Sequence, residues 1–548
     1  MIFFIGMRRV TEFFKAFITF MALIVILPLN NFVLAADPPP GNEIVRKTTV
    51  TVPVTEYIWW VIPWSGNLPV CTVSVDHEGL PTASEIYDDC GNSIYTQWSA
   101  TKACSLADEK GNDPRQCPGL YLHLVSSAPS EKSVEVDLPT AEAKISLTDC
   151  NNVTSSNRCS QIPSLLVTGY EPLPDQQITA VHINLNGKEH DCPGSTCKIQ
   201  LSPTNLSGAP VEFWVDSSYG DTSPLYKALV RVVDTGVSST PGGAGWIVEI
   251  ISPQWEGKPI ASCAQIWDVF PPIEGLPSWL TTPDAEALLN SNQPYQYLAG
   301  RLISQGIVKA TDCPGGGLLS NGYADTCGLE KALPIVQEWQ NRFNSQILKV
   351  SASTGVPANL MKNIFAQESQ FWPGAFKDPK EFGLGQITDN GAETILLWNQ
   401  AFFNQFCPQV LDKNTCGRGY IYLSEENQAL LRGALASKSS VDCPTCSMGI
   451  DLDKIGFSIN LFAQTLLANC SQVSRMIYNT TDQTPADVSD YINLWKLTVA
   501  NYHIGPGCLS YAMYQTWQRR EPMDWEHIST YLTTPCQSAI DYVTQVAK

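Results

Sequence analysis

Residues 366–372 read Ala366-Gln367-Glu368-Ser369-Gln370-Phe371-Trp372, and residues 381–388 read Glu381-Phe382-Gly383-Leu384-Gly385-Gln386-Ile387-Thr388. The first run ends a predicted helix that begins at Val356-Pro357, because proline tolerates the first position of a helix. Leu360, Ile364 and Glu368 follow one another at intervals of four, so they share one helix face. The sequence therefore predicts a partly buried carboxylate at a helix end, followed by a glycine-rich turn.

Two effects raise the pKa of a glutamate in this position. The negative end of the helix dipole and partial desolvation both disfavour the ionised carboxylate. A carboxylic acid that stays protonated near neutral pH can protonate the leaving oxygen of a glycosidic bond. An isolated glutamate at a helix end more commonly bonds to nearby backbone, so the residues around Glu368 decide between these roles.

The residues around Glu368 suit a saccharide. Phe371 and Trp372 offer rings for the apolar faces of sugars, although two buried core aromatics explain them equally well. The turn from Gly383 to Gln386 lets backbone approach a ligand, and Gln386 supplies both a donor and an acceptor. The sequence thus predicts a candidate saccharide cleft.

These residues resemble the catalytic domain of the soluble lytic transglycosylases, lysozyme-like enzymes that cut the glycan strands of peptidoglycan. Three blocks carry the resemblance: Glu368-Ser369, Gly383-Leu384-Gly385-Gln386 and Ala500-Asn501-Tyr502-His503-Ile504-Gly505-Pro506-Gly507. Residues 451–466 resemble the family helix that opens with an acidic residue, and residues 538–546 resemble its closing Tyr-Val segment. The resemblance covers about residues 340–548 and nothing before them.

The resemblance implies a reaction. Glu368 would protonate the glycosidic oxygen between N-acetylmuramic acid and N-acetylglucosamine, then act as base toward the muramyl 6-hydroxyl and leave a 1,6-anhydro end. It further implies that Tyr502 lies near Glu368 and that Gln386 lies in the saccharide cleft. The full set expected to bind substrate is Gln386, Tyr502, Ser369, Phe371, Gly383 and His503. No cofactor and no metal are expected.

Three departures from the family pattern keep alternatives open. Lys377 replaces a small serine, and a lysine near Glu368 would favour its ionised form. Lys380-Glu381 replaces Gly-Ala; a Glu381 that faced Glu368 could activate water and give a hydrolytic muramidase. His503 replaces asparagine, where we expect it to serve as a hydrogen-bonding group. A non-catalytic peptidoglycan-binding envelope protein is the third possibility.

The first residues of the chain predict export. Arg8, Arg9 and Lys15 precede an apolar run over residues 16–29 and a small-residue cleavage site near Ala36, as in a signal peptide over residues 1–36. The apolar run is shorter than the roughly 20 residues that a membrane-spanning helix needs. All 18 cysteines come after position 70, which favours disulfides in an oxidising compartment. We therefore predict a secreted, periplasmic or cell-envelope protein without stable membrane insertion.

The cysteines divide into two even groups, eight between Cys71 and Cys197 and ten between Cys263 and Cys536. Their connectivity stays open, although Cys313 with Cys327 and Cys407 with Cys416 are plausible pairs. Residues 263–340 hold three cysteines and residues 341–548 hold seven, so at least one disulfide is expected between these segments. Two closer sets are interpreted as structural rather than metal-binding or redox-active: Cys443-Pro-Thr-Cys446, and His190 with Cys192 and Cys197 around Pro193-Gly194.

The pattern of the sequence predicts a multidomain chain. After the signal peptide we expect all-β sandwich-like modules at 37–135 and 136–257, the second Ig-like, because short β-branched runs alternate with turn residues. A helical extension at 258–340 and a predominantly α, lysozyme-like catalytic domain at 341–548 should follow. The aromatics of the β modules could bind sugars or fill sandwich cores: Trp59, Trp60, Trp64, Trp98, Phe213 and Trp214.

The acidic net charge argues against polyanionic partners. The net charge is −19, and residues 341–548 carry 15 Lys and Arg against 18 Asp and Glu, which leaves −16 to residues 1–340. Such a chain lacks the basic surface that binds nucleic acid or anionic membranes. The expected partners are peptidoglycan glycan strands.

Overall fold

The computed structural model describes residues 46–101, 119–150, 158–234, 245–257, 262–373, 381–443, 445–446 and 448–548. The predicted signal peptide and the replacements Lys377 and Lys380 lie outside these residues. The chain divides into two compact units. The first contains the residues before Ala141 together with Glu171–Gln176 and Ser217–Thr222, and the second contains the rest.

The first unit is a small antiparallel sheet with one helix. Its strands are β1 (Lys47–Pro63), β2 (Cys71–Val75) and β3 (Leu120–Asp137), in the order β2-β1-β3. Helix α1 (Ala83–Ser99) begins with a capping box at Thr82 and Glu85 and is joined to β2 by the disulfide Cys71–Cys90. Residues 37–135 were expected to be all-β, and that expectation is wrong for α1.

The β part of the second unit consists of two sheets over one core. A three-stranded sheet has the order β4-β6-β9, and a six-stranded sheet has the order β5-β12-β11-β10-β7-β8. Buried side chains of both sheets, such as Val167 and Phe213, form one hydrophobic cluster. Disulfide Cys192–Cys197 closes a turn, as predicted. The strands are β4 (Glu142–Thr148), β5 (Arg158–Cys159), β6 (Ser164–Tyr170), β7 (Ile178–Leu185), β8 (Lys188–Pro193), β9 (Thr196–Gln200), β10 (Ala209–Ser217), β11 (Tyr226–Asp234) and β12 (Trp246–Ile251).

The remainder of the second unit is helical, and residues 262–340 share one hydrophobic core with residues 341–548. Two long, largely buried helices pack against each other there, α11 (Ile455–Thr481) and α13 (Tyr491–Gln518). The α-helices are α2 (Ser262–Trp267), α3 (Gln296–Ser304), α4 (Thr326–Asn341), α5 (Asn344–Thr354), α6 (Ala358–Glu368), α7 (Asp389–Trp398), α8 (Gln400–Phe406), α9 (Lys413–Cys416), α10 (Glu425–Ser439), α11 (Ile455–Thr481), α12 (Pro485–Val488), α13 (Tyr491–Gln518), α14 (Trp525–Ser529) and α15 (Ser538–Val546).

Disulfides fasten these helices. The pairs Cys313–Cys327 and Cys407–Cys416 are confirmed, and Cys443–Cys446 closes on itself as a structural bridge. The disulfide expected between residues 263–340 and the following segment is Cys263–Cys470, which joins α2 to α11. Cys508–Cys536 is a further bridge among the helices, whereas Cys150–Cys159 lies in the β part and ends in β5. In the described part of the chain, no helix is long and apolar enough to cross a membrane.

Candidate active site

Glu368 is the last residue of helix α6, as the sequence predicts. Pro357 precedes the helix, and Leu360 and Ile364 on the same face are fully buried. Glu368 itself is half-buried at the helix end. Burial raises its pKa from 4.5 to about 7, a hydrogen bond from Tyr542 opposes the rise, and the negative charge of Glu381 adds to it. The carboxyl group therefore exchanges its proton near neutral pH.

Tyr542 holds this carboxyl group from a distant part of the chain. Its hydroxyl, on helix α15, donates a hydrogen bond of 2.5 Å to Oε1 of Glu368. Burial and the nearby carboxylate raise the pKa of Tyr542 well above its ordinary value, so it remains a donor. One sequence signal pointed toward it, the resemblance of residues 538–546 to a closing Tyr-Val segment, but no role followed from that signal.

The glycine-rich turn packs against helix α11. Phe382 and Ile387 exchange two backbone hydrogen bonds of 3.0 and 2.9 Å across its base. Gly383 has φ +69°, and a Cβ atom there would lie 1.9 Å from Oγ of Ser458. A Cβ atom on Gly385 would lie 2.2 Å from the ring of Phe462. Both glycines are thus required by close contact with α11, which is a packing reason rather than the predicted substrate contact of Gly383.

Two predicted substrate-binding side chains instead brace the turn. Ser369 is 1% exposed, and its hydroxyl donates a 2.7 Å hydrogen bond to the carbonyl of Leu384. Gln386 is 5% exposed, and its amide nitrogen donates a 2.6 Å hydrogen bond to the carbonyl of Gly383. The Ser369 hydroxyl and the Gln386 amide nitrogen are buried and bonded to the turn, so the expectation that these two groups face a saccharide is corrected.

Tyr502, on helix α13, contacts the glycine-rich turn. Its hydroxyl donates a hydrogen bond to the carbonyl of Gly385, and its ring meets that of Phe462 edge-on at 5.5 Å. Burial and the charges of Glu368 and Glu381 raise its pKa well above the ordinary value for tyrosine. Glu368, Glu381, Tyr502 and Tyr542 therefore form a cluster of electrostatically coupled groups, in which Tyr542 bonds directly to Glu368.

His503 supports the cluster from outside. Its ring stacks on that of Tyr542 with 4.0 Å between centroids and 9° between planes. Its Nε2 atom lies 3.2 Å from the hydroxyl of Ser538, so it is a hydrogen-bonding group as expected. Partial desolvation lowers the pKa of His503, which favours the neutral imidazole. The contact with Tyr542 makes His503 a neighbour of the residue that holds Glu368.

The aromatic residues after Glu368 are not a platform for sugars. Phe371 is 0% exposed and Trp372 is 1% exposed. Gln370 and Phe371 both have left-handed backbone, with φ +46° and +66°, which turns the chain inward. The predicted substrate contact of Phe371 is therefore corrected to a core position. Such strain beside a polar cluster persists only where surrounding contacts impose it.

The aromatics of the β modules divide between cores and half-buried positions. Trp59 belongs to the core under α1, and Phe213 is fully buried between the two sheets. Trp214 is half-buried and stacks on His182 with 4.9 Å between centroids. The remaining three, Trp60, Trp64 and Trp98, are half-buried.

The chemistry available at the site is that of one proton-exchanging carboxyl group with tyrosine donors and a second carboxylate nearby. Among the described residues, no group of three or more His, Cys, Asp or Glu side chains could hold a metal ion. Compared with models of known protein families and with curated proteins, the chain matches none. Its function is therefore inferred from the site itself.

Proposed function

We propose that the protein is an exported peptidoglycan lytic transglycosylase with a lysozyme-like catalytic domain. The observation that carries the proposal is Glu368, a half-buried carboxyl group with a pKa near 7 that is held by Tyr542 at the end of α6. The three sequence blocks that resemble the family contact one another next to this residue, because Ser369 bonds to Leu384 and Tyr502 bonds to Gly385. The disulfides are compatible with an extracytoplasmic location.

The reaction requires Glu368 in two protonation states. The protonated carboxyl group donates its proton to the glycosidic oxygen as the bond from that oxygen to C1 of N-acetylmuramic acid breaks. The resulting carboxylate then accepts the proton of the muramyl 6-hydroxyl while that oxygen bonds to C1. The products are a free 4-hydroxyl on N-acetylglucosamine and a 1,6-anhydromuramyl end. A pKa near 7 suits a group that must both give and take a proton.

Tyr542 contributes orientation and charge stabilisation. Its hydroxyl fixes Oε1 of Glu368, which leaves Oε2 for the reacting proton. A hydrogen bond to the ionised form stabilises the carboxylate that appears after the first step. Tyr542 therefore lowers the energy of the intermediate state while burial keeps the starting state protonated.

Hydrolysis is the second candidate, and Glu381 is the observation that favours it. Its charge raises the pKa of Glu368, so the two carboxyl groups are close enough to interact. A carboxylate across the cleft could direct water to C1 and give a reducing end. Burial, however, raises the pKa of Glu381 as well, which weakens it as an anionic partner.

Product analysis separates these functions. Purified peptidoglycan is digested with the wild-type protein, and the soluble fragments are measured by mass spectrometry. A transglycosylase gives anhydromuropeptides, each lighter by one water than the reducing products of a muramidase. Glu368→Gln should abolish release while circular dichroism stays unchanged. Release of neither product, with retention of the protein on peptidoglycan, would instead identify a non-catalytic binder.

A further inference from the structure

Arg301 lies against the segment that follows Glu368. It projects from helix α3, and its guanidinium carbon is 5.2 Å from the ring centre of Trp372. Trp372 comes four residues after Glu368, and its backbone N–H bonds to the carbonyl of Ser369. Gln370 fastens the same segment to α3, because its side-chain oxygen accepts a 2.9 Å hydrogen bond from the backbone of Tyr297. Helix α3 therefore contacts the segment that follows Glu368 in two places, through Arg301 and through the backbone of Tyr297.

Among the described residues, the guanidinium of Arg301 has no partner for its charge. Its Nε atom is buried and finds no hydrogen-bond acceptor, and no carboxylate in the described part of the chain forms a salt bridge with it. A buried donor without an acceptor is costly, and a cation without a counter-ion is notable in a chain of net charge −19. An anionic ligand would provide an acceptor for the guanidinium and a counter-ion for its charge.

Arg342 provides an internal comparison in the same aromatic stack. The rings of Trp339 and Trp372 stack at 5.5 Å and 18°, and Arg342 lies 4.5 Å from the centre of Trp339. Arg342 also donates a 2.9 Å hydrogen bond to Glu338 on α4. Both arginines therefore pack against a tryptophan of one pair, but within the described ranges only Arg342 has a carboxylate. Packing on tryptophan therefore does not explain why, among the described residues, Arg301 lacks a carboxylate partner.

Part of the Arg301 side chain is accessible to solvent. Arg301 is half-buried, and Tyr297, one helical turn before it, lies on the same face of α3. Tyr297 pairs with Tyr323 at 5.5 Å between ring centres, and Tyr323 is 37% exposed. A partly exposed aromatic pair therefore lies next to the face of α3 that carries Arg301. Arginine binds carboxylates through two parallel hydrogen bonds, which suits a planar anionic group at this position.

We propose that Arg301 binds a carboxylate of a peptide substituent on the glycan strand that Glu368 cleaves. The proposal rests on the proposed function, since it takes the substrate to be a glycan that carries peptides. It adds a specificity determinant from residues 262–340, a segment outside the family resemblance. The site would make the protein prefer strands with free peptide carboxylates over strands without them.

The experiment compares two ligands that differ only in charge. A peptide-bearing muramyl disaccharide with free carboxyl groups, and the same compound with those groups amidated, are titrated calorimetrically into the full chain carrying Glu368→Gln, which prevents cleavage. We expect the free acid to bind about tenfold more tightly, in line with a charged hydrogen-bonded pair. Arg301→Met should remove that preference, and Arg342→Met, the matched control, should retain it. Arg301→Lys should keep part of it, because lysine keeps the charge without the planar fork.

Equal binding of the two ligands by the protein with intact Arg301, or a tenfold preference that survives Arg301→Met, would overturn the proposal. Near-ultraviolet circular dichroism checks that both methionine variants are folded. If Arg301→Met is not, Arg301→Lys is measured instead: a preference reduced below tenfold supports the proposal, and an undiminished tenfold preference overturns it. The result is separable from the proposed function. Cleavage without a carboxylate preference removes only the Arg301 site, whereas a carboxylate preference without cleavage by the wild-type protein removes only the enzyme.

Discussion

Replacing Glu368 by glutamine should make the protein more stable at high pH than the wild type, by an amount set by the raised pKa. The folded value is about 7 and the ordinary value is 4.5, a difference of about 2.5. Each pKa unit corresponds to about 1.4 kcal/mol, so ionising Glu368 in the folded protein costs about 3 kcal/mol. The substituted glutamine side chain would carry no ionisable proton and would still accept the hydrogen bond from Tyr542.

The sign follows from the direction of the shift. Below about pH 4.5 the carboxyl group is protonated in both the folded and unfolded chains, so its contribution to the difference between variant and wild type is constant. Between pH 4.5 and 7 only the unfolded chain loses the proton freely, and the wild type loses stability. Above pH 7 the loss is complete and the difference is constant again. The advantage of Glu368→Gln should therefore grow by about 3 kcal/mol across this window.

Urea unfolding with intact disulfides, measured near pH 4 and near pH 8, provides the assay. The quantity compared is the difference in the free energy of unfolding between variant and wild type, so that other titrating groups cancel. Glu330→Gln, which changes an exposed residue of α4, reports what the same substitution does on the surface. If the advantage of Glu368→Gln is the same at both pH values, burial does not hold this carboxyl group protonated, and Glu368 loses its qualification as a general acid.

Three further predictions concern the supports of the site. Tyr542→Phe removes the hydrogen bond that lowers the pKa of the acid, so peptidoglycan release should fall about tenfold and its alkaline limit should move to higher pH; an unchanged pH profile would count against this contact. Gly383→Ala should lower the free energy of unfolding by about 2–3 kcal/mol through its clash and positive φ, whereas Gly433→Ala, in a helix with open space, should raise it by up to about 1 kcal/mol. Removing the disulfide Cys263–Cys470, which spans 207 residues, by a double substitution to alanine should cost about 3–5 kcal/mol in urea unfolding; a loss below about 1 kcal/mol would mean that the unfolded chain is already constrained.

Local periodicity and cysteine counting were sufficient for the helix that carries the acid and for several bridges. The four-residue spacing of Leu360, Ile364 and Glu368 determines which face is buried before any tertiary contact is known. The parity of the cysteines required a link from residues 263–340 to the following segment, and Cys263–Cys470 provides it. These features depend on short sequence intervals or on counts, and neither needs knowledge of how distant segments meet.

The partner of the acid could not be found in the same way. Tyr542 lies 174 residues beyond Glu368, and only the packing of α15 beside α6 brings them together. The inward turn after Glu368 was also hidden, because two non-glycine residues in left-handed backbone have no reliable sequence signal. Helix α1 was missed although Thr82 and Glu85 form a capping box, since the surrounding β-branched runs favoured a strand interpretation.

Three of the motif residues have the same structural role, which is to hold the glycine-rich turn. Ser369, Gln386 and Tyr502 each bond to a carbonyl of the turn, at Leu384, Gly383 and Gly385 respectively. Three consecutive carbonyls are thereby fixed, and the turn is held rigidly beside the end of α6.

Because these side chains support the turn, their identity constrains the position of Glu368 but does not select the nucleophile that would attack C1 in the proposed reaction. That choice falls to groups outside the brace, among which Glu381 is the described carboxylate that interacts with the acid. Glu381→Gln therefore discriminates between the two mechanisms. It should leave anhydromuropeptide formation in place if Glu368 acts alone, and it should abolish formation of reducing ends if Glu381 directs water.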